Sequence, residues 1–443
     1  MKLIDSGGKN DILAFLNRAP VEFLYSRLMN KSRPEIESAF STTDVSRQPA
    51  SHQILTSARS GIFLDSWELT HHQLPLQTAA TWHIKKFKLH GGKQEGVDVI
   101  EVNNGRLRFA VAPTRGMSVL EVETHEARLG WESPVKEVIH PQYVNLQNRG
   151  GLGWLEGFNE WLVRCGLEWA GHPGRDRFRN HLGDEVEMNL TLHGKIGNTP
   201  ASEVEVLIEA GPPPRIHLRG LVEERMFHGP KLSILTDIST ELGSNAVRLD
   251  DVVTNHGGYD QEFQILYHAN FGAPLLGPGA RFYGAIAQVK SFNAHAARDV
   301  KKYHEYAGPK PGFNEQVYCL QPLAGTDGRT EMMLQNSRGD RGVSLVFPVE
   351  QLPCVTLWKN LAAATEGYVT GIEPGTSYPY TRRLEREAGR VPKLAPNQMR
   401  RFTIDFAIHG DLQSVQSAVR RIQNIQAQTA MVVDGERVYS PVF

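Results

Sequence analysis

The sequence predicts an all-β fold: a large antiparallel β-sandwich with an N-terminal extension and a few short helices. Three observations favour this class. Many strand-length segments carry apolar residues at every second position, Gly- and Pro-containing turns separate them, and few segments have helical spacing. The chain has 443 residues, and large β-sandwiches of this length often form one domain.

Several segments carry the strand pattern clearly, and they lie at residues 97–102, 107–111, 204–208, 232–238 and 402–408. The first two flank Asn103-Asn104-Gly105, whose residues favour a tight hairpin turn. In the third segment, Val204 and Ile208 alternate with glutamates. These patterns predict strands with one face in a core.

Both ends of the chain differ from the strand-rich middle. Residues 1–75 are predicted to form an N-terminal extension, with helical spacing over residues 12–29 and a polar loop over about 30–60. Residues 76–443 are predicted to form the sandwich domain. A helix is predicted near residues 411–425, because Asp411 is a suitable N-cap and Leu412, Val415, Val419 and Ile422 share one face.

Composition excludes several classes of function. Forty-eight basic and forty-nine acidic residues nearly cancel, which argues against a nucleic-acid or membrane-surface partner. No apolar stretch is long enough to span a bilayer, and the first residues lack a signal-peptide pattern. The three cysteines form no CxxC pair, which predicts neither a disulfide framework nor a zinc ribbon and favours a cytoplasmic setting. The sequence leaves the oligomeric state open.

Three segments place an ionisable residue in or beside a predicted strand. They centre on His193, followed by Gly194, on His268 with Asn270, and on Glu373 before a Pro-Gly turn. Each residue taken alone also fits a structural hydrogen bond. Taken together, two imidazoles and a carboxylate are a sufficient set for general acid and base catalysis without a cofactor. A metal held by this set is a less favoured alternative.

The same segments resemble the galactose mutarotase-like superfamily, in particular an aldose 1-epimerase-like branch. The resemblance covers about residues 95–410 and rests on short motifs: Leu192-His193-Gly194 with 197–201, Tyr267-His268-Ala269-Asn270-Phe271, Gly371-Ile372-Glu373-Pro374, Arg115-Gly116-Met117, Cys165-Gly166-Leu167 and Trp358-Lys359. It implies a supersandwich fold and a small-molecule sugar or sugar derivative as substrate.

The resemblance also implies roles for individual residues. His268 protonates the ring oxygen, Glu373 removes the proton of the anomeric hydroxyl, and His193 stabilises the opened sugar. The expected substrate-binding side chains are Arg149, with Arg115 as its rival, Asn270, Trp154 and Trp358. Neither a metal nor an organic cofactor is expected.

The sequence departs from the family pattern at two points. Tyr267, rather than asparagine, precedes His268, and no counterpart of the family's substrate-binding aspartate is identified between His268 and Glu373. Two alternatives therefore stay open beside the mutarotase. One is a lyase or another isomerase on the same fold, with uronate-binding cations among Arg149, Arg164, Arg382 and Arg383. The other is a non-catalytic carbohydrate-binding protein.

Overall fold

A computed structural model describes residues 49–437 of the chain. Twenty-seven strands dominate this part, and the first fourteen are β1 (Pro49–Ser57), β2 (Ile62–Phe63), β3 (Trp67–Thr70), β4 (His83–Lys88), β5 (Asp98–Asn103), β6 (Arg108–Ala112), β7 (Ser118–Glu123), β8 (Arg128–Leu129), β9 (Leu162–Leu167), β10 (Gly174–Arg179), β11 (Glu185–Leu190), β12 (Glu203–Glu209), β13 (Arg215–Arg225) and β14 (Lys231–Glu241). The others are β15 (Ala246–Asn255), β16 (Gln261–Glu262), β17 (Gln264–Phe271), β18 (Arg281–Gly284), β19 (Ile286–Ser291), β20 (Gln316–Pro322), β21 (Arg329–Gln335), β22 (Gly342–Pro348), β23 (Cys354–Asn360), β24 (Val369–Gly375), β25 (Lys393–Leu394), β26 (Met399–His409) and β27 (Val432–Arg437).

The strands form two large sheets. One has ten strands in the order β18-β21-β22-β26-β15-β14-β13-β12-β1-β2. The other has thirteen, in the order β27-β19-β20-β23-β24-β17-β9-β7-β6-β5-β4-β3, with β8 paired to β7. Two small sheets pair β10 with β11 and β16 with β25. Neighbouring strands are antiparallel except β19 and β27, so the predicted sandwich of antiparallel sheets is confirmed.

The core lies between the two large sheets. The main buried cluster takes Ile100 and Phe109 from the thirteen-stranded sheet, and Ile234, Leu249 and Ile404 from the ten-stranded sheet. Four of these residues belong to the alternating segments that predicted β5, β6, β14 and β26. The fifth, Leu249, lies on β15, which was not among the predicted strands. Burying one face of each strand is the main stabilising term for such a sandwich.

Strand β17 presents different residues to its two faces. Tyr267, Ala269 and Phe271 belong to the core between the sheets, whereas Leu266 joins a separate cluster on the opposite face. Because side chains alternate along a strand, His268 and Asn270 also point away from the core. The thirteen-stranded sheet therefore carries these two residues on its outer face.

The predicted loop over residues 30–60 is wrong from Pro49 onward, where β1 begins. This strand pairs along β12, yet most of its residues are only partly buried and Leu55 alone of its apolar residues is fully buried. Backbone hydrogen bonds hold such a strand, so its sequence shows little apolar alternation. Strands β1 to β3 lie within the segment 1–75 that was predicted as an extension. The helical segment predicted over residues 12–29 lies outside the described residues.

Helices are few in the part of the chain that the structure describes, and they span Asn148–Gly151, Ala294–Ala297, Arg382–Glu387 and Leu412–Gln426. The last begins at Asp411, whose side chain accepts a hydrogen bond from the backbone N–H of Ser414. Its residues Val415, Ala418 and Ile422 pack on the ten-stranded sheet near Met333. Among residues 49–437, no helix has both the length and the apolar character needed to cross a membrane.

Candidate active site

The imidazole of His268 and the carboxyl group of Glu373 meet on the outer face of the thirteen-stranded sheet. The antiparallel register of β17 and β24 pairs Leu266 with Gly375 and Ala269 with Ile372, which sets His268 opposite Glu373. The Nε2 atom of His268 lies 3.2 Å from Oε1 of Glu373, and both side chains are buried. Two residues more than a hundred positions apart thus become cross-strand neighbours.

His193 approaches this pair from a turn that follows β11. Its ring centroid lies 5.3 Å from that of His268. The backbone of His193 has a positive φ of 57°, held by hydrogen bonds of its N–H to Gly171 and of its carbonyl to Gly166. The next residue must be glycine, because a Cβ at Gly194 would lie 2.3 Å from the carbonyl oxygen of Gly166. The structure therefore brings the three predicted catalytic residues together.

Aromatic side chains surround the two histidines. The ring of Phe158 lies 5.1 Å from that of His268, the ring of Trp358 lies 5.4 Å from it, and the ring of Trp154 lies 4.7 Å from that of His193. Trp154 and Trp358 were predicted as substrate contacts and lie beside the histidines. Phe158 was not among the predicted site residues, because an aromatic residue in a sequence is more often part of a core than of a site.

Asn270 orients the imidazole of His268. Its Nδ2 atom donates to the carbonyl oxygens of Glu160 (3.0 Å) and of His268 itself (3.2 Å). Its Oδ1 atom must therefore be the acceptor, and it lies 2.7 Å from Nδ1 of His268. This bond keeps a proton on Nδ1 and leaves Nε2 for proton exchange. Because the amide is fully buried and satisfied, Asn270 supports a positioning role rather than the predicted sugar contact.

Burial shifts the pKa values of all three ionisable groups towards their neutral forms. It lowers the pKa of His268 to about 4, although the hydrogen bond with Asn270 acts in the opposite direction. It raises the pKa of Glu373 well above its usual value, and the charge of Glu315 adds to this effect. Burial, with a contribution from His268, holds the pKa of His193 well below its ordinary value. Burial thus favours a neutral imidazole at His268 and a protonated carboxyl group at Glu373.

Three buried polar atoms at the site have no hydrogen-bond partner in the part of the chain that the structure describes: Nδ1 of His193, Nε1 of Trp154 and Oε1 of Glu373. The 3.2 Å contact between Oε1 and His268 is close enough for an ion pair, but it is not aligned as a hydrogen bond. Buried polar groups are usually paired, because leaving them unpaired costs free energy. Such atoms around one pair of acid and base residues are expected where a polar ligand binds.

Glu315 is a site residue that the sequence did not reveal. Its Oε2 atom accepts a hydrogen bond from Nε1 of Trp358 (2.8 Å), and its charge raises the pKa of Glu373. It also raises the pKa of His172, against the larger lowering by burial. Glu315 stands just before β20, between His268 and Glu373 in the chain, where the family aspartate was sought. A glutamate at the start of a strand is common, so no sequence signal distinguished it.

Gly371 makes room for the carboxyl group of Glu373. The two residues share one face of β24, and a Cβ at position 371 would lie 2.3 Å from Oε1 of Glu373. Gly371 pairs with Trp358 on one neighbouring strand and with Asn270 on the other. Because Gly371 has no side chain, a gap remains between Trp358 and Asn270, and the carboxyl group of Glu373 occupies it.

Arg115 is fully engaged within the protein. All five of its N–H donors have acceptors: Oε1 of Glu160 twice, the carbonyls of Ile139 and Gly157, and Oδ1 of Asn198. Its side chain is 1% exposed. No donor of this guanidinium is left for a sugar, so the structure supports a structural role for Arg115 instead of the predicted substrate contact.

Arg149 is exposed and precedes Trp154 by five residues. Its backbone has a positive φ of 51°, uncommon for a residue other than glycine. The segment that carries it continues directly into the 3-10 turn Gly153–Gly157, which places Trp154 against His193. Of the two predicted arginines, Arg149 is the one whose guanidinium is open to solvent.

No group of three or more His, Cys, Asp or Glu side chains is arranged to hold a metal ion among residues 49–437. A cavity of about 190 Å³ lies elsewhere, lined by Lys195, Glu224 and Met226 among others. Its lining residues include none of the three predicted catalytic side chains.

Comparisons with known proteins give one family and several similar structures. A family model described as "Domain of unknown function (DUF4432)" matches residues 94–408. The crystal structure of a "putative aldose 1-epimerase" from Klebsiella pneumoniae is 41% identical, with 88% of this chain and 100% of that chain covered and a TM-score of 0.83.

More distant structures have low identity. A galactose mutarotase-like protein from Clostridium acetobutylicum is 13% identical over 74% of this chain and 98% of that chain, with a TM-score of 0.48. A "putative aldose 1-epimerase" from Escherichia coli is 14% identical over 71% of this chain and 99% of that chain, with a TM-score of 0.45. No curated protein matches the chain.

Proposed function

This chain belongs to the DUF4432 family and has the galactose mutarotase-like β-sandwich fold, and we propose that it is an aldose 1-epimerase that interconverts the anomers of a sugar. The observation that carries the proposal is the contact of 3.2 Å between Nε2 of His268 and Oε1 of Glu373. One acid and one base side by side can serve the ring oxygen and the anomeric hydroxyl, since both oxygens are bonded to the same carbon.

The reaction begins when the carboxyl proton of Glu373 moves to Nε2 of His268. The Glu373 carboxylate then takes the proton of the anomeric hydroxyl, and a C=O double bond forms at the anomeric carbon. The bond from that carbon to the ring oxygen breaks, and the ring oxygen receives the proton of His268. The pair is neutral again, with the proton on Glu373. Rotation of the aldehyde and the reverse steps close the ring as the other anomer.

His193 acts on the opened sugar without exchanging a proton. Burial lowers its pKa well below the ordinary value, so its imidazole is neutral at neutral pH. Its Nδ1 atom is buried and has no hydrogen-bond partner among the described residues. This unpaired ring nitrogen hydrogen-bonds a hydroxyl of the opened sugar and so holds it beside the catalytic pair.

The charge around the site favours a neutral sugar over a uronate. A lyase needs a cation to neutralise the uronate carboxylate, but Arg164 is bound to buried Asp251 and Arg382 to buried Asp176. Glu315 adds a negative charge beside Glu373. Among the arginines considered for a lyase, Arg149 and Arg383 are the exposed ones. Elimination is thus the less favoured chemistry.

The test follows the equilibration of freshly dissolved α-anomers of several neutral aldoses by optical rotation or NMR. The wild-type protein is expected to accelerate it for at least one aldose. His268→Gln and Glu373→Gln are each expected to lower kcat by about 100- to 10,000-fold, the usual contribution of a general acid or base. Glu187→Gln, at an exposed glutamate of β11, is the matched control and should keep full activity.

Two results contradict this proposal. One is no acceleration with any aldose; the other is full activity in both variants. Sugar binding that persists in His268→Gln, together with no turnover by the wild-type protein, favours a non-catalytic binding protein. Formation of an unsaturated product from a uronate, followed by its ultraviolet absorbance, favours the lyase.

A further inference from the structure

Thr356 stands in the same row of side chains as the catalytic pair. It lies on β23, directly opposite Glu373 in the register of β23 with β24. Its neighbours Val355 and Leu357 belong to the core between the sheets, so the side chain of Thr356 points to the outer face with Glu373 and His268. Three adjacent strands thus carry His268, Glu373 and Thr356 in one line across the sheet.

The hydroxyl of Thr356 is buried without a partner. The residue is 1% exposed, and its Oγ1 atom forms no hydrogen bond with any residue in the described range 49–437. A hydroxyl can both donate and accept, and burying one unpaired lowers stability. By contrast, Thr370 on the adjacent strand β24 donates to the carbonyl oxygen of Trp358 (2.7 Å) and also contacts the hydroxyl of Tyr306.

An unpaired hydroxyl does not by itself mark a binding site. Thr330 on β21 is equally buried and also unpaired, but its neighbours along that face of the strand, Met332 and Leu334, belong to the apolar core. What distinguishes Thr356 is its place beside Glu373, whose Oε1 atom is unpaired too. Nε1 of Trp154 and Nδ1 of His193, beside His268, complete a set of four such atoms.

We propose that Thr356 is a substrate-binding residue whose hydroxyl pairs with a sugar hydroxyl close to the anomeric carbon. This inference rests on the proposed function and adds to it a contact beyond the reacting atoms. Facing side chains on neighbouring strands are about 5 Å apart at Cβ. A sugar with its anomeric oxygen at Glu373 therefore reaches Thr356 with a hydroxyl on a nearby carbon. The ligand is a polyhydroxylated sugar, and the hydroxyl at Thr356 contributes to its selection.

The experiment compares Thr356→Val with Thr330→Val. Each change replaces a buried, unpaired hydroxyl with a methyl group of the same shape, so each variant should unfold at a temperature about 1–3 °C higher than the wild type. Affinities for D-glucose, D-galactose and their 2-deoxy and 3-deoxy analogues are measured by NMR titration. Thr356→Val should bind a parent sugar about 3- to 10-fold more weakly than the wild type, whereas Thr330→Val should bind it equally well. One deoxy analogue should bind equally to the wild type and to Thr356→Val.

The outcomes separate this inference from the proposed function. A lower unfolding temperature for Thr356→Val, or an unchanged affinity for every sugar that the wild type binds, overturns the role of Thr356 and leaves the roles of His268 and Glu373 intact. If the wild type binds none of the sugars, the proposed function fails. The role of Thr356 as a sugar contact then fails with it, whatever the unfolding temperatures show.

Discussion

The Nε2 atom of His268 and the Oε1 atom of Glu373 lie 3.2 Å apart on neighbouring strands, buried beneath aromatic rings. Burial lowers the pKa of His268 to about 4 and raises the pKa of Glu373 well above its usual value. Each group therefore resists its charged form, which favours a neutral imidazole beside a protonated carboxyl group. Because both pKa values differ between the folded and the unfolded chain, the stability of the protein should depend on pH.

Stability should depend on pH in opposite directions for the two groups. The unfolded chain protonates His268 near pH 6.5 but the folded protein only near 4, so the wild type should lose stability relative to His268→Gln as pH falls from about 6.5 to about 4. Glu373 keeps its proton to higher pH when folded than its ordinary value of 4.5 allows. The wild type should therefore lose stability relative to Glu373→Gln as pH rises above about 4.5.

Urea unfolding from pH 4 to 8 measures both trends. Comparing each variant with the wild type at every pH cancels the contributions of other buried histidines, such as His172. A constant difference in unfolding free energy between wild type and variant over this range would show that the pair titrates as freely in the folded chain as in the unfolded one.

Gly371→Ala is expected to damage the site but not the fold. The new Cβ would lie 2.3 Å from Oε1 of Glu373, and that carboxyl group is the end of a flexible side chain that can move away. The backbone of Gly371 is not among those with positive φ, so alanine fits it. We expect kcat to fall roughly 100-fold, the cost of misplacing a catalytic group by about 1 Å.

The unfolding temperature measured by calorimetry should change by less than about 3 °C in Gly371→Ala. Alanine at Gly389, which has a positive φ and open space around it, is a useful contrast, since it strains the backbone away from the site. Full activity in Gly371→Ala would mean that the position of Oε1 does not matter to the reaction.

Asn270→Leu tests whether Asn270 positions the imidazole. Without its Oδ1 acceptor, Nδ1 of His268 loses the bond that fixes its proton and raises its pKa. We expect kcat to fall about 10-fold or more, with KM changed less. The acidic limb of the pH–rate profile should move to lower pH, because the pKa of His268 falls further. A large rise in KM at constant kcat would instead indicate a direct sugar contact.

The two arginines suggested by the sequence should behave differently. Arg115→Met leaves the buried carboxylate of Glu160 without its partner, so it is expected to cost about 3–5 kcal/mol of unfolding free energy. Arg149→Ala changes an exposed residue, and it is expected to raise KM about 10-fold with kcat and the unfolding temperature unchanged. Chemical denaturation and steady-state kinetics of both variants distinguish these outcomes. A stable Arg115→Met with a raised KM would reverse the assignment.

The sequence by itself determined the parts of this protein that depend on neighbours along the chain. Alternation predicted β5, β6, β12, β14 and β26 because apolar residues at every second position of each strand enter the core between the sheets. The same period placed Leu266, His268 and Asn270 on one face of β17, and Asp411 marked the start of the last helix. The three ionisable residues of the site were candidates from the sequence itself, and the resemblance of the short motifs to a known family added their expected roles.

Only the tertiary structure decided which distant groups meet. The register of β17, β24 and β23 sets His268, Glu373 and Thr356 in one row, and no local pattern encodes that register. Arg115 looked like a sugar contact until its five donors were all found to be occupied. Whether a buried polar atom is satisfied depends on groups brought from elsewhere in the chain, and for that physical reason local sequence could name the candidate residues but could not assign their roles.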